Sequence, residues 1–301
     1  MHEAKEDSVR QYRLAELIAE ATQCPLSAIR ETKACSGGCI HHAARIKLED
    51  GREYFVKSNR HAKDMFEQEA AGLSALAEPA VLRVPQFVAR GTIASSEDCL
   101  VLEFVHSGRP RPDFFASFGS QLAELHRRQT GREFGWPQDN YLGSNPQRNT
   151  QSESWIEFFA QHRLRYQLQM ARRAGNGSRE LFRLADRLCE RLERLLGPSV
   201  EPACLLHGDL WSGNFMSDGR GAAVIFDPAV YYGQREAELA MPLLFGGFSP
   251  EFFAAYDEAW PLRPDWSDRV EIYKLYHLLN HLNLFGAGYL DSCLEIVRRF
   301  A

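Results

Sequence analysis

An aspartate, an asparagine and a second aspartate stand in two neighbouring stretches, His207-Gly208-Asp209-Leu210-Trp211-Ser212-Gly213-Asn214 and Val224-Ile225-Phe226-Asp227-Pro228. These residue types supply what phosphoryl transfer from ATP requires: one carboxylate near the attacking hydroxyl, and an oxygen cage for Mg²⁺ made by an Asn and another Asp. Asp209 is the candidate for the first role, Asn214 and Asp227 for the second. Gly-Asp and Ser-Gly-Asn are also ordinary turn chemistry. The stronger signal is that both modules occur, in this order, with the second Asp closing a short apolar run.

Such a site also needs a cation for the phosphates. Phe55-Val56-Lys57 ends an apolar strand on a lysine, whose stem can pack while its ammonium faces a pocket. That lysine needs a carboxylate to fix it, and the following helical segment, 62–77, offers two. Glu67 and Glu69 are about 200° apart around a helix of 3.6 residues per turn, so both cannot face one pocket. Glu69 neighbours Met65, Leu73 and Leu76 by helical spacing and lies beside the packed stripe, which leaves Glu67 to solvent. Upstream, Ser36-Gly37-Gly38-Cys39-Ile40 separates two strands. Paired glycines let backbone amides approach phosphates closely, and they equally make a plain hairpin turn.

The elements that must carry these groups are legible in outline. Residues 8–22 have helical apolar spacing and end before Pro25. Strands are expected at 32–35, 41–48 and 53–57, with Asp50-Gly51 as a turn, and then at 86–90 and 100–105. The last of these is almost continuously apolar and so buried on both faces. Ser107-Gly108-Arg109-Pro110 marks a link, giving units 1–105 and 106–301. The second unit reads as mainly helical: 114–128, an irregular aromatic loop at 134–141, long helices at 155–174 and 179–196, and helices near 236–245, 250–259, 267–285 and 289–300. Short strands at 203–206 and 222–226 deliver Asp209 and Asp227. His277 and His281 lie one helical turn apart, a metal-ligand spacing, but Leu278-Leu279-Asn280 between them lacks the Glu of a zincin; packed histidines are the preferred reading.

Composition excludes several classes. The net charge is −5 and no long basic stretch occurs, so a nucleic-acid face is not indicated. No apolar run is long enough to span a membrane, and residues 1–13 lack the apolar core of a signal peptide. Seven scattered cysteines without paired metal spacing point to free thiols in a reducing cytoplasm.

The two Asp modules resemble those of the protein-kinase-like and aminoglycoside phosphotransferase group, and several stretches narrow this to the fructosamine kinase (ketosamine 3-kinase) family. They are His207 to Asn214 with its Trp after Asp-Leu, Asp227-Pro228-Ala229, Tyr232-Gly233, Arg235-Glu236 and Leu244-Phe245-Gly246-Gly247-Phe248. The stretches 134–145, 155–168 and Leu275-Tyr276-His277-Leu278-Leu279-Asn280-His281 are similar too. Gln234 departs from the His that many members carry after Tyr-Gly, and Glu238 stands where related kinases have Asp. The resemblance implies an α+β, two-lobed protein-kinase-like fold. A small N-terminal antiparallel sheet plus helix would bind nucleotide, and a larger, mainly helical C-terminal lobe would carry catalysis and substrate. It implies ATP and Mg²⁺ as cofactors and a ketosamine, free or protein-bound, as acceptor at its sugar 3-hydroxyl, a deglycation reaction.

By the same resemblance Asp209 accepts or orients the hydroxyl proton, Asn214 and Asp227 hold Mg²⁺, and Lys57 with Glu69 holds phosphates under the Gly37-Gly38-Cys39 loop. Glu103, Phe104 and Val105 then face adenine, through backbone groups of Glu103 and Val105. Trp211 has two readings: an indole face for the sugar or its protonated amine, or core packing. Trp136 and Tyr231 are weaker candidates of the same kind. A thiol at Cys39 would have a lowered pKa beside Lys57 and could link two subunits on oxidation; an inert small residue is the alternative. A phosphotransferase of the aminoglycoside or choline kinase type is the competing enzyme, and a nucleotide-binding pseudokinase scaffold the competing non-enzyme.

Overall fold

The computed structural model describes residues 2–35, 42–60, 64–94 and 97–301, with side chains from residue 8 onward. Gly37, Gly38 and Cys39 lie outside the described residues, so the expectations placed on them stay with the sequence.

The chain opens with α1 (His2–Thr22), then β1 (Ile29–Ala34), β2 (His42–Leu48) and β3 (Glu53–Asn59). Helix α2 (Met65–Ala77) and strands β4 (Phe87–Ala94) and β5 (Glu97–Glu103) follow. The five strands form one antiparallel sheet in the order β1-β2-β3-β5-β4. Strand alternation assigns its faces. Val56 pairs with Val101, and both pack with Leu14 and Ile18 of α1. Lys57 pairs with Leu100, which turns with Leu102 into the larger core beneath Phe66, Leu73 and Leu76 of α2. The apolar run of β5 is therefore buried on both faces, as its sequence implied. Its boundary differs: the ladder ends at Glu103, leaving Phe104 and Val105 in the connecting segment.

The second lobe begins with α3 (Phe114–Arg128), β6 (Thr130–Gly131), β7 (Asn140–Leu142) and β8 (Asn145–Gln147). The aromatic stretch expected to be irregular thus ends in a small hairpin, Asn140 pairing with Gln147. The expected single helix over 155–174 is three pieces: α4 (Trp155–Phe158), a π-helical Phe159–Arg165, and α5 (Tyr166–Ala174). The wider π turns coincide with the placement of Arg163 in the core. Its guanidinium carbon lies 4.0 Å from the Tyr231 ring centroid and 4.5 Å from that of Phe158, and its Nη2 donates to Asn149 Oδ1 at 2.8 Å. Helical periodicity reports a buried face; it cannot report that one turn is widened to seat an arginine.

Helix α6 (Arg179–Leu196) starts on Ser178, whose hydroxyl accepts from Leu181 N–H. The strands β9 (Ala203–Leu206), β10 (Phe215–Ser217), β11 (Ala223–Ile225) and β12 (Tyr231–Gly233) follow, then α7 (Arg235–Glu238), α8 (Ala240–Phe245), α9 (Pro250–Ala259), α10 (Trp266–Phe285) and α11 (Leu290–Phe300). One apolar cluster runs from α2 through α3 and α6 to α10 and α11, so the lobes share a core behind the cleft between them. Among the described residues no helix is long and apolar enough to cross a membrane, and Cys24, Cys35, Cys99, Cys189, Cys204 and Cys293 are all free thiols.

Candidate active site

A cleft of about 980 Å³, partly open to solvent, lies between the lobes. Its lining brings together Lys57, Glu69, the loop residues Asp209, Trp211 and Asn214, and Asp227, from four separate stretches of the sequence.

On the sheet side, Lys57 Nζ donates to Glu69 Oε1 at 2.7 Å and also bonds Asp227 Oδ1. Lys57 and Glu69 are both buried. Burial alone would strip the lysine of its proton, but the two carboxylates outweigh it and hold its pKa above the usual value. Glu69 shifts upward, burial outweighing the pull of Lys57. Helical phase separates the two acids: Glu67 is exposed and reaches Arg90 at 3.2 Å instead.

On the other side, fully buried β9 delivers His207 and Asp209. His207 Nδ1 accepts from Asp209 N–H at 3.3 Å, so its Nε2–H donates to Phe226 O at 3.0 Å. Burial lowers the pKa of this ring and keeps it neutral, and the pair of bonds ties the Asp209 loop to the chain entering Asp227. Gly208 has φ +79°, and a Cβ there would stand 2.1 Å from Ala229 O. Glycine is thus required both by the backbone angle and by the close approach. Asp227 itself sits at φ +58°, a left-handed conformation an aspartate tolerates better than most residues.

Asn214 Nδ2 donates to Asp209 O at 2.7 Å and to Asp209 Oδ2 at 3.0 Å. The amide nitrogen is thereby fixed on the carboxylate, which leaves the amide oxygen for another partner. Burial, then the nearby Asp227 charge, push the Asp209 carboxyl well above the usual carboxylate range.

Residues that no local motif announced hold this loop. Glu238 of α7, buried, accepts from His207 N–H and, at 3.1 Å, from Gly208 N–H. Glu238, the departure noted in the sequence, therefore anchors the Asp209 loop. Its sequence signal was only an acid in a helix start.

Trp211 is 39% exposed and lines the cleft, which decides against core packing. Its indole lies over Gly213, where a Cβ would come within 2.4 Å of the ring. Trp136 and Tyr231 do not share this placement. Trp136 stacks on Tyr232 at 5.8 Å, and Tyr231 is buried against Arg163; neither lines the cleft. Their aromatic types suited a sugar face, but β12 and the Gly135–Tyr232 bridge turn them inward.

The cleft lining does not reach 103–105. There the Glu103 N–H already donates to Gln86 O at 2.8 Å and its carboxylate pairs with Arg83 at 2.5 Å, so Glu103 keeps only its carbonyl for a base edge. Phe104 meets His106 edge-on at 5.0 Å, and Val105 is buried. The histidine pair on α10 is no metal site: His281 Nδ1–H donates to His277 O at 2.9 Å, and burial drives the His277 pKa to about 3.

The sequence profile of the fructosamine kinase family matches residues 11–301. A probable ketoamine kinase of Synechocystis is 41% identical over 289 residues, covering 95% of each chain. A chloroplastic protein-ribulosamine 3-kinase of rice is 40% identical, over 97% of this chain and 83% of its own. Among solved structures, a putative fructosamine-3-kinase from Thermobifida fusca aligns with TM-score 0.83 at 32% identity, over 95% of this chain and 97% of that one. One from Haemophilus somnus gives 0.85 at 26%, over 95% and 96%. An aminoglycoside phosphotransferase shares the fold alone, TM-score 0.62 at 17% identity over 95% and 99%. The two-lobed kinase-like fold expected from the sequence is borne out.

Proposed function

Because the chain belongs to the fructosamine kinase family, we propose that it transfers the terminal phosphoryl group of ATP to the sugar 3-hydroxyl of a ketosamine. The observation that carries this reading is the convergence of Lys57, Glu69 and Asp227 with Asp209 and Asn214 in one cleft that also holds Trp211. The ketoamine and protein-ribulosamine kinase names of its relatives support the acceptor.

The donor set fits Mg²⁺. Asn214 Oδ1 and the second oxygen of Asp227 are hard oxygen donors that no hydrogen bond occupies among the described residues. Magnesium asks for one or two carboxylates plus phosphates and water rather than a full protein cage. When bound, the ion would neutralise charge on the phosphates. Lys57, steadied by Glu69, holds the phosphate oxygens, and nucleotide binding must part it from Asp227. Asp209, oriented by Asn214, takes the proton of the sugar hydroxyl. A hydroxyl is a weak nucleophile, so positioning and charge neutralisation supply most of the rate. The nucleotide lies between the units 1–105 and 106–301, with the Glu103 carbonyl and the Val105 backbone toward adenine.

Trp211 offers its exposed face to the sugar or its protonated amine. Trp211→Ala is expected to raise the KM for ketosamine about tenfold, the scale of a cation–π contact, with the KM for ATP unchanged. Steady-state kinetics with each substrate varied in turn checks this. An aminoglycoside acceptor is disfavoured because, among the described residues, Glu69, Asp209 and Asp227 are the only carboxylates in the lining, and each is engaged.

An ADP-release assay over ribulosamine, erythrulosamine and fructosamine compounds tests the reading. Turnover is expected with at least one. Turnover only with an aminoglycoside or choline would overturn it.

A further inference from the structure

Part of the cleft lining comes from β7 and the last turns of α10, and it carries a ring nitrogen to which the phosphoryl chemistry gives no role. Two amides stand on this wall, Asn140 and Asn280. Asn140 Oδ1 already accepts from Gln147 Nε2 at 2.7 Å and Asn149 Nδ2 at 2.9 Å. Asn280 Oδ1 accepts from Asn145 Nδ2 at 2.8 Å and Gln167 Nε2 at 3.2 Å. A carbonyl oxygen has two lone pairs, so both are saturated. The Tyr141 hydroxyl donates to Asp64 Oδ1 at 2.6 Å. Leu284 and Phe285 add only apolar surface, and Phe285 is 55% exposed at the mouth.

His281 is different. Its Nδ1–H is committed to His277 O, which fixes the tautomer and leaves Nε2 as a lone-pair acceptor. Nε2 has no hydrogen bond among the described residues, and the half-buried His281 is part of the cleft lining. The ring is held on three sides: Phe245 at 4.5 Å, Tyr289 at 5.1 Å and Phe285 at 5.4 Å between centroids. An aromatic clamp of this kind fixes where the lone pair points.

We propose that His281 Nε2 accepts a hydrogen bond from the protonated amine of the ketosamine and so makes the site select an amine-bearing sugar. This rests on the ketosamine reading above. The chemistry matches on both sides. A secondary amine is a charged N–H donor near neutral pH, and α10 offers it a neutral acceptor in the same cleft as the exposed indole of Trp211. The same wall carries no charged side chain among the described residues, so it has nothing to pair with the carboxylate of a free amino acid. A peptide or protein lysine, whose backbone ends are capped by amides, meets no such shortfall.

Two substitutions separate the acceptor from the ring. His281→Phe keeps the aromatic packing among Phe245, Phe285 and Tyr289 and removes the lone pair. His281→Gln removes the ring and returns an acceptor near the Nε2 position. A hydrogen bond to a charged group corresponds to roughly ten- to a hundredfold in affinity. His281→Phe is therefore expected to raise the KM for ketosamine about tenfold or more, with the KM for ATP and the thermal midpoint unchanged. His281→Gln should stay within about threefold of wild type. A KM for the Phe variant within twofold of wild type would overturn the assignment, and so would a Gln variant as impaired as Phe. Absence of ketosamine turnover by the wild-type protein would instead sink the function on which the assignment rests.

Discussion

Asp209→Asn is expected to reduce kcat by roughly a hundred- to ten-thousandfold, the range of a positioned general base, while nucleotide binding persists. The substitution is close to isosteric. The new amide can turn its oxygen to Asn214 Nδ2, which now donates to the carboxylate at 3.0 Å, so the loop keeps its shape. What disappears is the carboxylate proposed to take the hydroxyl proton. Lys57 bonds both Glu69 and Asp227, and none of these bonds involves Asp209, so that end of the cleft stays assembled. Stability should not fall. Asp209 is crowded by Asp227 and lies near Glu238, and a neutral amide removes that repulsion. Three readouts settle the matter: single-turnover kinetics, titration with a non-hydrolysable ATP analogue, and the thermal midpoint. Turnover within tenfold of wild type would mean that another group takes the proton.

Glu238→Ala is expected to cost both activity and stability. The carboxylate accepts the N–H groups of His207 and Gly208, in a place that water does not reach. Removing it strands two buried donors, each at about 1–3 kcal/mol. The loop they belong to carries Asp209, so kcat should drop by at least about tenfold even where the protein stays folded; a misplacement of about 1 Å can cost a hundredfold. Glu238→Gln retains one acceptor oxygen but turns an N–H₂ toward the second donor, and it should fall between wild type and Ala. Thermal denaturation followed beside kcat checks the ordering. A Glu238→Ala protein with wild-type kcat and an unchanged melting midpoint would remove the anchoring role.

Both predictions concern one loop, yet they differ in how visible their residues are in the sequence. Asp209, Asn214 and Asp227 stand out because their spacing is local: one loop and one following strand are enough to bring them near each other. Glu69 could be chosen over Glu67 by helix phase alone, and the structure buries the former and exposes the latter. Such choices need only the 3.6-residue period, which the chain carries within itself.

Glu238 and His281 are another matter. Each is an ordinary residue type at an ordinary place on a helix, and its partners come from elements that periodicity cannot connect. Trp211, Trp136 and Tyr231 were equivalent as aromatic side chains; only the packing of β12 against β9 and of Trp136 against Tyr232 leaves Trp211 alone facing the cleft. Arg163 likewise lies in a stretch with ordinary helical periodicity, and the core resolved it into a widened turn around a buried guanidinium. Which groups could do phosphoryl chemistry, and which face each element must bury, can be read from residue type and short-range period. Which side chains hold the Asp209 loop, and which residues line the cleft opposite the sheet, can be read only from the packed fold. Those depend on which buried surfaces meet, a property of the whole packed core.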